Sequence, residues 1–398
     1  MKIFKTIFIS IIMFFVYWFS QLVPKKKGIW IFGAWKGKKY GDNSKYLFEY
    51  INKHVTEIRP IWLTRNQQAF DLIKSKGYEV YRTYSLRGFL FSIIAEKVFI
   101  SVAIKDVNRY TVNSKNVIMM WHGSTPIKKI VNDDTITRKK QLLIEKLLYL
   151  LFPFLGFRLR GLAISGSEEA SRIFKSAFRA KEKQILLTGF PRNDTFFHND
   201  QSAPILEEIK LLKRNNTYTA IYMPTHRKEG SGEISDLFNI DLKKINQSLK
   251  NLNTKLYVKL HYYHLNKHNF RNYSHIYFIT DNDIIQDIYT ILTEFDLLIT
   301  DYSSVHFDFL LTNKPIIFAP FDKEKYLMED REFYYNYNDV TPGPKASNWS
   351  ELLVYLEKFI QNPKLYDKER LNVMRRFNRY TDSNNCQRVF SAIYNEKN

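Results

Sequence analysis

One cysteine in 398 residues, Cys386, excludes a disulfide framework and any zinc or iron–sulfur site built from thiolates. Glycine and proline are sparse, at 14 and 12 residues, and aromatic side chains make up 16% of the chain, which excludes collagen-like and disordered classes. The sequence has no internal repeat, no low-complexity segment, and no zinc finger, RNA-recognition signature or basic heptad region. Acidic residues are also short: 40 Asp and Glu against 60 Lys and Arg leave a formal charge of +20. Such an excess points to a polyanionic partner, whether nucleic acid, an anionic membrane surface or phosphorylated substrates. The length suggests two to three domains of about 150 residues, with ample core.

The position of the charge narrows that choice. Lys2 and Lys5 precede the apolar run Ile7–Val23, and Lys25, Lys26 and Lys27 follow it. As a helix this run reaches roughly 25 Å, slightly short of a ~30 Å hydrocarbon core. A short transmembrane anchor and a helix lying in the interface both fit. A cleaved signal peptide fits poorly, because the strand-like Gly28–Phe32 follows at once. A second basic stretch contains Lys128, Lys129, Arg138, Lys139, Lys140, Lys146, Arg158 and Arg160, and it flanks the apolar Leu142–Phe157. Apolar segments framed by cations read as membrane-docking helices, the alternative being a core helix with a solvated basic start. Phosphate at a membrane is therefore the partner expected, and no nucleic acid.

Short apolar runs alternate with helical patterns through most of the chain. Strands are expected at Ile29–Phe32, Pro60–Leu63, Val98–Val102, Val117–Trp121, Leu162–Ile164 and Ile185–Leu187. After a polar break at His198–Pro204 they resume at Thr219–Met223, Leu256–Leu260, Ile276–Ile279, Leu297–Thr300 and Ile316–Phe318. Helical patterns lie between them, and Trp349–Gln361 and Lys364–Arg379 close the chain. This is the pattern of an α/β protein with two doubly wound, Rossmann-like domains facing a cleft. The expected division is a membrane-associating segment at 1–27, a membrane-facing α/β domain at 28–200 and a second α/β domain at 201–398. The last helices are free to pack back on the N-terminal domain.

Ligands of doubly wound folds bind beyond the carboxyl ends of the strands. His122 leaves one such end, followed by Gly123-Ser-Thr-Pro126, and its titration range suits a general base, although it can equally cap the next helix. Arg192, in Gly189-Phe-Pro-Arg-Asn-Asp194, can clamp a phosphate or pair with Asp194 within a structural turn. Thr225, His226, Arg227 and Lys228 form either an anion site or a solvated basic turn. Lys259 and His261 share a strand face and can grip a diphosphate while supporting a leaving group. Asp301, Ser303 and Ser304 open a helix, where free N–H groups attract phosphate and where serines are also ordinary caps. His264, His268 and His275 match no zinc spacing, so no metal is expected.

Together these segments resemble the CDP-glycerol glycerophosphotransferase family of teichoic-acid primases and polymerases. The matching pieces are Trp121-His-Gly-Ser-Thr-Pro-Ile-Lys128, Gly189–Asp194, Tyr222-Met-Pro-Thr-His-Arg227, Lys259-Leu-His261, Thr300-Asp-Tyr-Ser-Ser304, Asn313-Lys-Pro315 and Pro342-Gly-Pro344. Gly37–Phe48 is similar to the family's early segment, and Tyr262 stands where the family's Lys-x-His usually precedes proline. The resemblance implies a GT-B-type fold and transfer of glycerol phosphate from CDP-glycerol, without metal or other cofactor. It implies His122 and His261 as catalytic groups, with His122 the base. Arg227, Lys259, Thr225, Asp301, Ser303, Ser304 and Arg192 would then hold the donor. Lys128, Lys129, Arg138, Lys139 and Lys140 would face an undecaprenyl-type lipid-linked acceptor and the anionic cytoplasmic face of the cell membrane. CDP-ribitol, or a nucleotide sugar on the same fold, are the alternative donors.

Overall fold

The apolar runs form two parallel sheets, each within its own compact unit. The computed structural model describes residues 2–136, 152, 154, 159–198, 203–225, 242–260, 273–284 and 287–397. The first unit comprises Met1–His122, Lys139–Asp194 and Asp382–Asn398, and the second comprises Gly123–Arg138 and Thr195–Thr381. The segment beginning at Gly123, expected with the N-terminal domain, thus clusters with the second unit, and the end of the chain clusters with the first.

In the first unit the order is α1 (Lys2–Leu22), β1 (Lys26–Gly33), α2 (Asp42–His54), β2 (Arg59–Thr64), α3 (Gln67–Ser75) and β3 (Val80–Arg82). Then follow α4 (Leu86–Ile94), β4 (Ala95–Ile100), β5 (Val117–Met119), β6 (Leu162–Ser165), α5 (Glu168–Phe178) and β7 (Ile185–Leu187). The strands lie in the order β3-β2-β1-β4-β5-β6-β7, every pair parallel. Continuous apolar strands suit a sheet covered on both faces. Trp30, Ile31 and Phe32 of β1 are all buried, and the Phe32 ring stacks on Phe99 of β4 at 4.3 Å. Phe48 of α2 closes one face against Phe32 and Trp62. Each such ring contributes about 1.5–3 kcal/mol by leaving water. Side chains one residue before the helices set their starts: Asn66, Ser85 and Ser167 accept from Ala69, Gly88 and Ala170 N–H.

In the second unit come α6 (Leu206–Arg214), β8 (Tyr218–Met223), α7 (Leu242–Asn251), β9 (Thr254–Val258), β10 (Ile276–Phe278) and β11 (Leu297–Thr300). They are followed by α8 (Val305–Phe309), β12 (Ile316–Phe318), α9 (Lys323–Glu329), α10 (Tyr337–Val340), α11 (Trp349–Gln361) and α12 (Asp367–Phe377). The parallel strand order is β10-β9-β8-β11-β12. Pro344 accepts from Phe318 N–H at 2.9 Å, and a Cβ on Gly343 would lie 2.3 Å from the Ile316 carbonyl. The Pro342-Gly-Pro344 motif therefore lies flat along β12.

Several elements differ from the sequence expectation. The edge strand β3, helix α4 and a last helix α13 (Asn385–Tyr394) were not anticipated. Strand β5 stops at Met119 rather than Trp121, because Trp121 turns the chain with φ 59°. The N-terminal apolar run is helical, and no helix among the described residues is long and apolar enough to cross a membrane.

Helix α13 belongs to the first unit through the loop after β7. Asp194 accepts from the N–H groups of Asn385 (2.9 Å) and Cys386 (2.8 Å), which anchors the helix start. Gly189, at φ 80°, lets Asn385 approach so closely that a Cβ would sit 1.8 Å from its side-chain oxygen. Gly189→Ala should therefore destabilise the first unit by about 2 kcal/mol or more, from left-handed strain plus displacement of Asn385. Denaturant unfolding checks this, and an unchanged midpoint would contradict the packing.

Candidate active site

Strand order reverses between β1 and β4 in the first unit and between β8 and β11 in the second, and such switch points are where doubly wound sheets hold ligands. A buried carboxylate occupies each. In the first unit Asp106 accepts from the N–H groups of Lys36 (2.6 Å), Ser101 (2.8 Å), Val102 (2.7 Å) and Ala103 (3.3 Å). It ties the loop after β1 to the loop after β4. Complete burial pushes its pKa up to about 6, against the pull of those four bonds.

His122 stands on the neighbouring loop, after β5. Asn43, at the start of α2, donates to the carbonyls of Met120 (3.0 Å) and Trp121 (3.2 Å) and accepts from Arg192 N–H (3.1 Å). The Arg192 guanidinium donates to Asp42 (2.8 Å) and to the His122 carbonyl (3.1 Å), and both charged side chains are buried. Asp42 also accepts from the indole N–H of Trp35. The His122 ring lies between Trp35 and Trp121, with Nδ1 3.4 Å from the Ser101 carbonyl. Trp35 (φ 49°), Lys36 (φ 56°), Asp42 (φ 60°) and Trp121 (φ 59°) are four of the ten non-glycine residues with positive φ among the described residues. Each costs on the order of 1 kcal/mol, so backbone strain is concentrated around this histidine.

In the second unit Asp301 accepts from the N–H groups of Thr225 (2.8 Å) and Tyr302 (2.5 Å), which joins the loops after β8 and β11. Tyr337 donates to the Asp301 carbonyl at 2.9 Å, and Tyr302 donates to Asp322 at 2.9 Å. Ser303 and Ser304 are half-buried at the start of α8, and Ser304 makes no side-chain cap. His306, inside α8, spans the carbonyls of Ser303 (2.7 Å) and Val340 (3.0 Å), and burial lowers its pKa to about 4. Lys259, just past β9, pairs with Asp281 at 3.0 Å.

The structure thus brings Thr225, Asp301, Ser303 and Ser304 to one sheet edge, with Lys259 one strand away. It places Arg192 in the other unit, beneath His122, where its charge is spent on Asp42. Lys128 bridges to Phe333 and Lys129 pairs with Glu332 at 3.0 Å, so both are built into the second unit. His261, Arg227, Arg138, Lys139 and Lys140 lie outside the described residues. Among the described residues no cluster of His, Cys, Asp or Glu could hold a metal ion. Residues that carry the site without having been singled out are Trp35, Asp42, Asn43 and Asp106. A polar Asp-Asn pair opening an amphipathic helix was the available signal for two of them.

The sequence model of the CDP-Glycerol:Poly(glycerophosphate) glycerophosphotransferases matches residues 12–395. The chain is 29% identical over 384 residues to the teichoic acid glycerol-phosphate transferase of Staphylococcus aureus (strain NCTC 8325 / PS 47), covering 94% of each. It is 29% identical over 325 residues to the teichoic acid poly(glycerol phosphate) polymerase of Staphylococcus epidermidis, covering 79% of this chain and 43% of that protein. It thus spans less than half of that longer relative. Among solved structures, the wall teichoic acid polymerase TagF aligns with a TM-score of 0.74 over 94% of this chain and 90% of that one; at 24% identity this shows a shared fold.

The buried pair beneath His122 has a measurable signature. Arg192→Leu leaves Asp42 charged and buried, and should cost about 3–5 kcal/mol in denaturant unfolding. Combining it with Asp42→Asn should recover part of that loss. Equal destabilisation by the single and double variants would show that the pair is not what holds the loop.

Proposed function

The chain belongs to the CDP-glycerol:poly(glycerophosphate) glycerophosphotransferase family, transferases of teichoic-acid biosynthesis, and we propose that it transfers glycerol phosphate from CDP-glycerol to a hydroxyl of a lipid-linked saccharide or polyol-phosphate acceptor. The acceptor oxygen attacks the phosphorus that bears glycerol, the diphosphate bond breaks, and CMP leaves. The observation that carries this reading is the fixed His122. Its Nδ1 faces a carbonyl, which only accepts, so the neutral ring holds its proton there and offers Nε2 as base. Phosphoryl transfer is mainly positioning and charge stabilisation. His122 is held from three sides for the first task. Thr225, Ser303, Ser304, Lys259, Arg227 and His261 are assigned to the donor, with Asp301 shaping their loops. Arg192 is reassigned to positioning His122.

The same reading places the protein on the cytoplasmic membrane face. On α1, Phe15, Phe19 and Leu22 are 66, 67 and 81% exposed, and with Ile11 and Trp18 they form an outward apolar stripe. Lys25 Nζ donates to the carbonyls of Ser20 (3.0 Å) and Ile93 (2.5 Å), which ties the end of α1 to the end of α4. Helix α4 in turn exposes Leu86 and Leu90. Arg138, Lys139 and Lys140 would add attraction to anionic headgroups.

Two measurements test this account. With CDP-glycerol and a synthetic lipid-linked saccharide, the purified chain should release CMP and add glycerol phosphate to the acceptor, and His122→Ala should lower turnover at least roughly 10²-fold. Preference for CDP-ribitol would change the donor, and release of a nucleoside diphosphate from a nucleotide sugar would overturn the chemistry. Replacing Phe15, Phe19 and Leu22 by Asp should cut co-sedimentation with vesicles by more than about tenfold, given about 1.5–3 kcal/mol per buried side chain. Undiminished sedimentation would remove α1 from the docking surface.

A further inference from the structure

A second feature of the first unit lies at the opposite, amino-terminal edge of the same sheet. There the starts of β5 and β6 and the turn before β7 frame an open cavity of about 710 Å³. Its walls carry Lys97, Lys115, Arg160, Arg179, Lys181 and Lys183, against a single carboxylate, Glu396. Lys97 pairs with Glu396 at 3.5 Å, and among the described residues no carboxylate pairs with the other five. Five exposed cations around one concavity repel one another, and a bound polyanion relieves that repulsion.

The floor is fixed while the rim is charged. A Cβ on Gly161 would lie 2.0 Å from the Val117 carbonyl, and Gln184 donates to the Gly161 carbonyl at 2.8 Å, so the backbone there is closely packed. Arg179 ends α5 in the left-handed region at φ 51°, the position where glycine is least costly. A cation is held there at the expense of backbone strain of about 1 kcal/mol. Tyr17 of α1, near Ser114 and Arg160, brings the apolar helix to the rim.

We propose that this cavity is a second anion site, separate from the donor site, that takes a phosphodiester-bearing polyanion. Val117 on its floor opens β5 and His122 follows the other end of that strand, so the cavity and the His122 site lie at opposite edges of the sheet. The phosphodiester has two sources, an anionic phospholipid headgroup at the membrane or a poly(glycerol phosphate) chain. Either would be held mainly by charge, so binding should weaken steeply with salt.

The test uses the full chain and its Arg179→Gln/Lys181→Gln/Lys183→Gln variant, whose exposed positions leave the core untouched; thermal unfolding confirms this. Binding is measured to a soluble glycerol phosphate oligomer and to phosphatidylglycerol vesicles, with phosphatidylcholine vesicles as the uncharged reference. CMP release from CDP-glycerol is followed on the same preparations with a soluble acceptor. The variant should bind at least one anionic probe about tenfold more weakly, with CMP release unchanged. Loss on the oligomer alone identifies a polymer site, loss on vesicles alone a headgroup site, and loss on both a site that reads the phosphodiester in either setting. Equal binding by both proteins, or no binding of either probe by the wild type, overturns the proposal. Absence of CMP release from the wild type would defeat the transferase reading while leaving the binding result to stand separately.

Discussion

A buried carboxylate that binds backbone N–H groups across a switch point is the constraint on which both candidate sites depend. Loops leaving adjacent strands that run to opposite sides of a sheet have no regular hydrogen bonds between them. Asp106 binds four N–H groups in the first unit, with that of Lys36 lying across the switch point, and Asp301 binds two in the second, with that of Thr225 lying across it. A carboxylate suits this task because it only accepts and can take several donors at once. Burial works against it, which is why the pKa of Asp106 is raised although all its contacts favour the anion. Gly33 completes the arrangement, since a Cβ there would lie 2.4 Å from the Asp106 carbonyl.

With the loops joined, the remaining freedom at the first site is that of His122 itself, and each part of it is held. Its backbone is fixed through the carbonyls of residues 120–122, and its ring by two indoles. The Asp42–Arg192 pair below is costly to bury, and the Trp35 indole and the His122 carbonyl offset part of that cost by bonding the carboxylate and the guanidinium. The four left-handed residues nearby add strain of the kind that persists where surrounding bonds over-determine the backbone. Pre-organisation of a base is the use to which such an arrangement is suited.

Most of the fold was legible in the sequence, because strands buried on both faces are continuous apolar runs. Trp30–Phe32 and Leu297–Thr300 needed no context. What escaped was short or decided elsewhere. Strand β3 has three residues and takes its register from β2. Helix α13 is defined by Asp194, some 190 positions earlier in the chain. The motifs drew attention to the ends of these strands, but roles within them were less legible. Arg192 and Asp194 look alike as polar residues after a glycine turn. One secures His122 and the other caps a helix, and only tertiary partners tell them apart. Likewise, Cys386 excluded disulfides by its count, whereas its burial beside Asp194, which raises its thiol pKa, follows from the fold.

The excess of positive charge divides by whether a cation is paired. At the carboxyl edges, Arg192 and Lys259 are tied to Asp42 and Asp281, and Lys129 to Glu332. Pairing removes much of their long-range field but fixes their positions, and fixed dipoles and charges stabilise a transition state without having to reorganise. At the amino edge of the first sheet, five cations have no carboxylate partner among the described residues. Unpaired charge on exposed side chains is poor at positioning, because long flexible stems hold it, but it is effective at raising the local concentration of anions. A paired lysine in a site is therefore no argument against phosphate chemistry there. Net charge alone points to the amino edge of the sheet. The chemistry is better sought where charges are paired and backbone strain is concentrated, and the gathering of anions where the charges are exposed and unpaired.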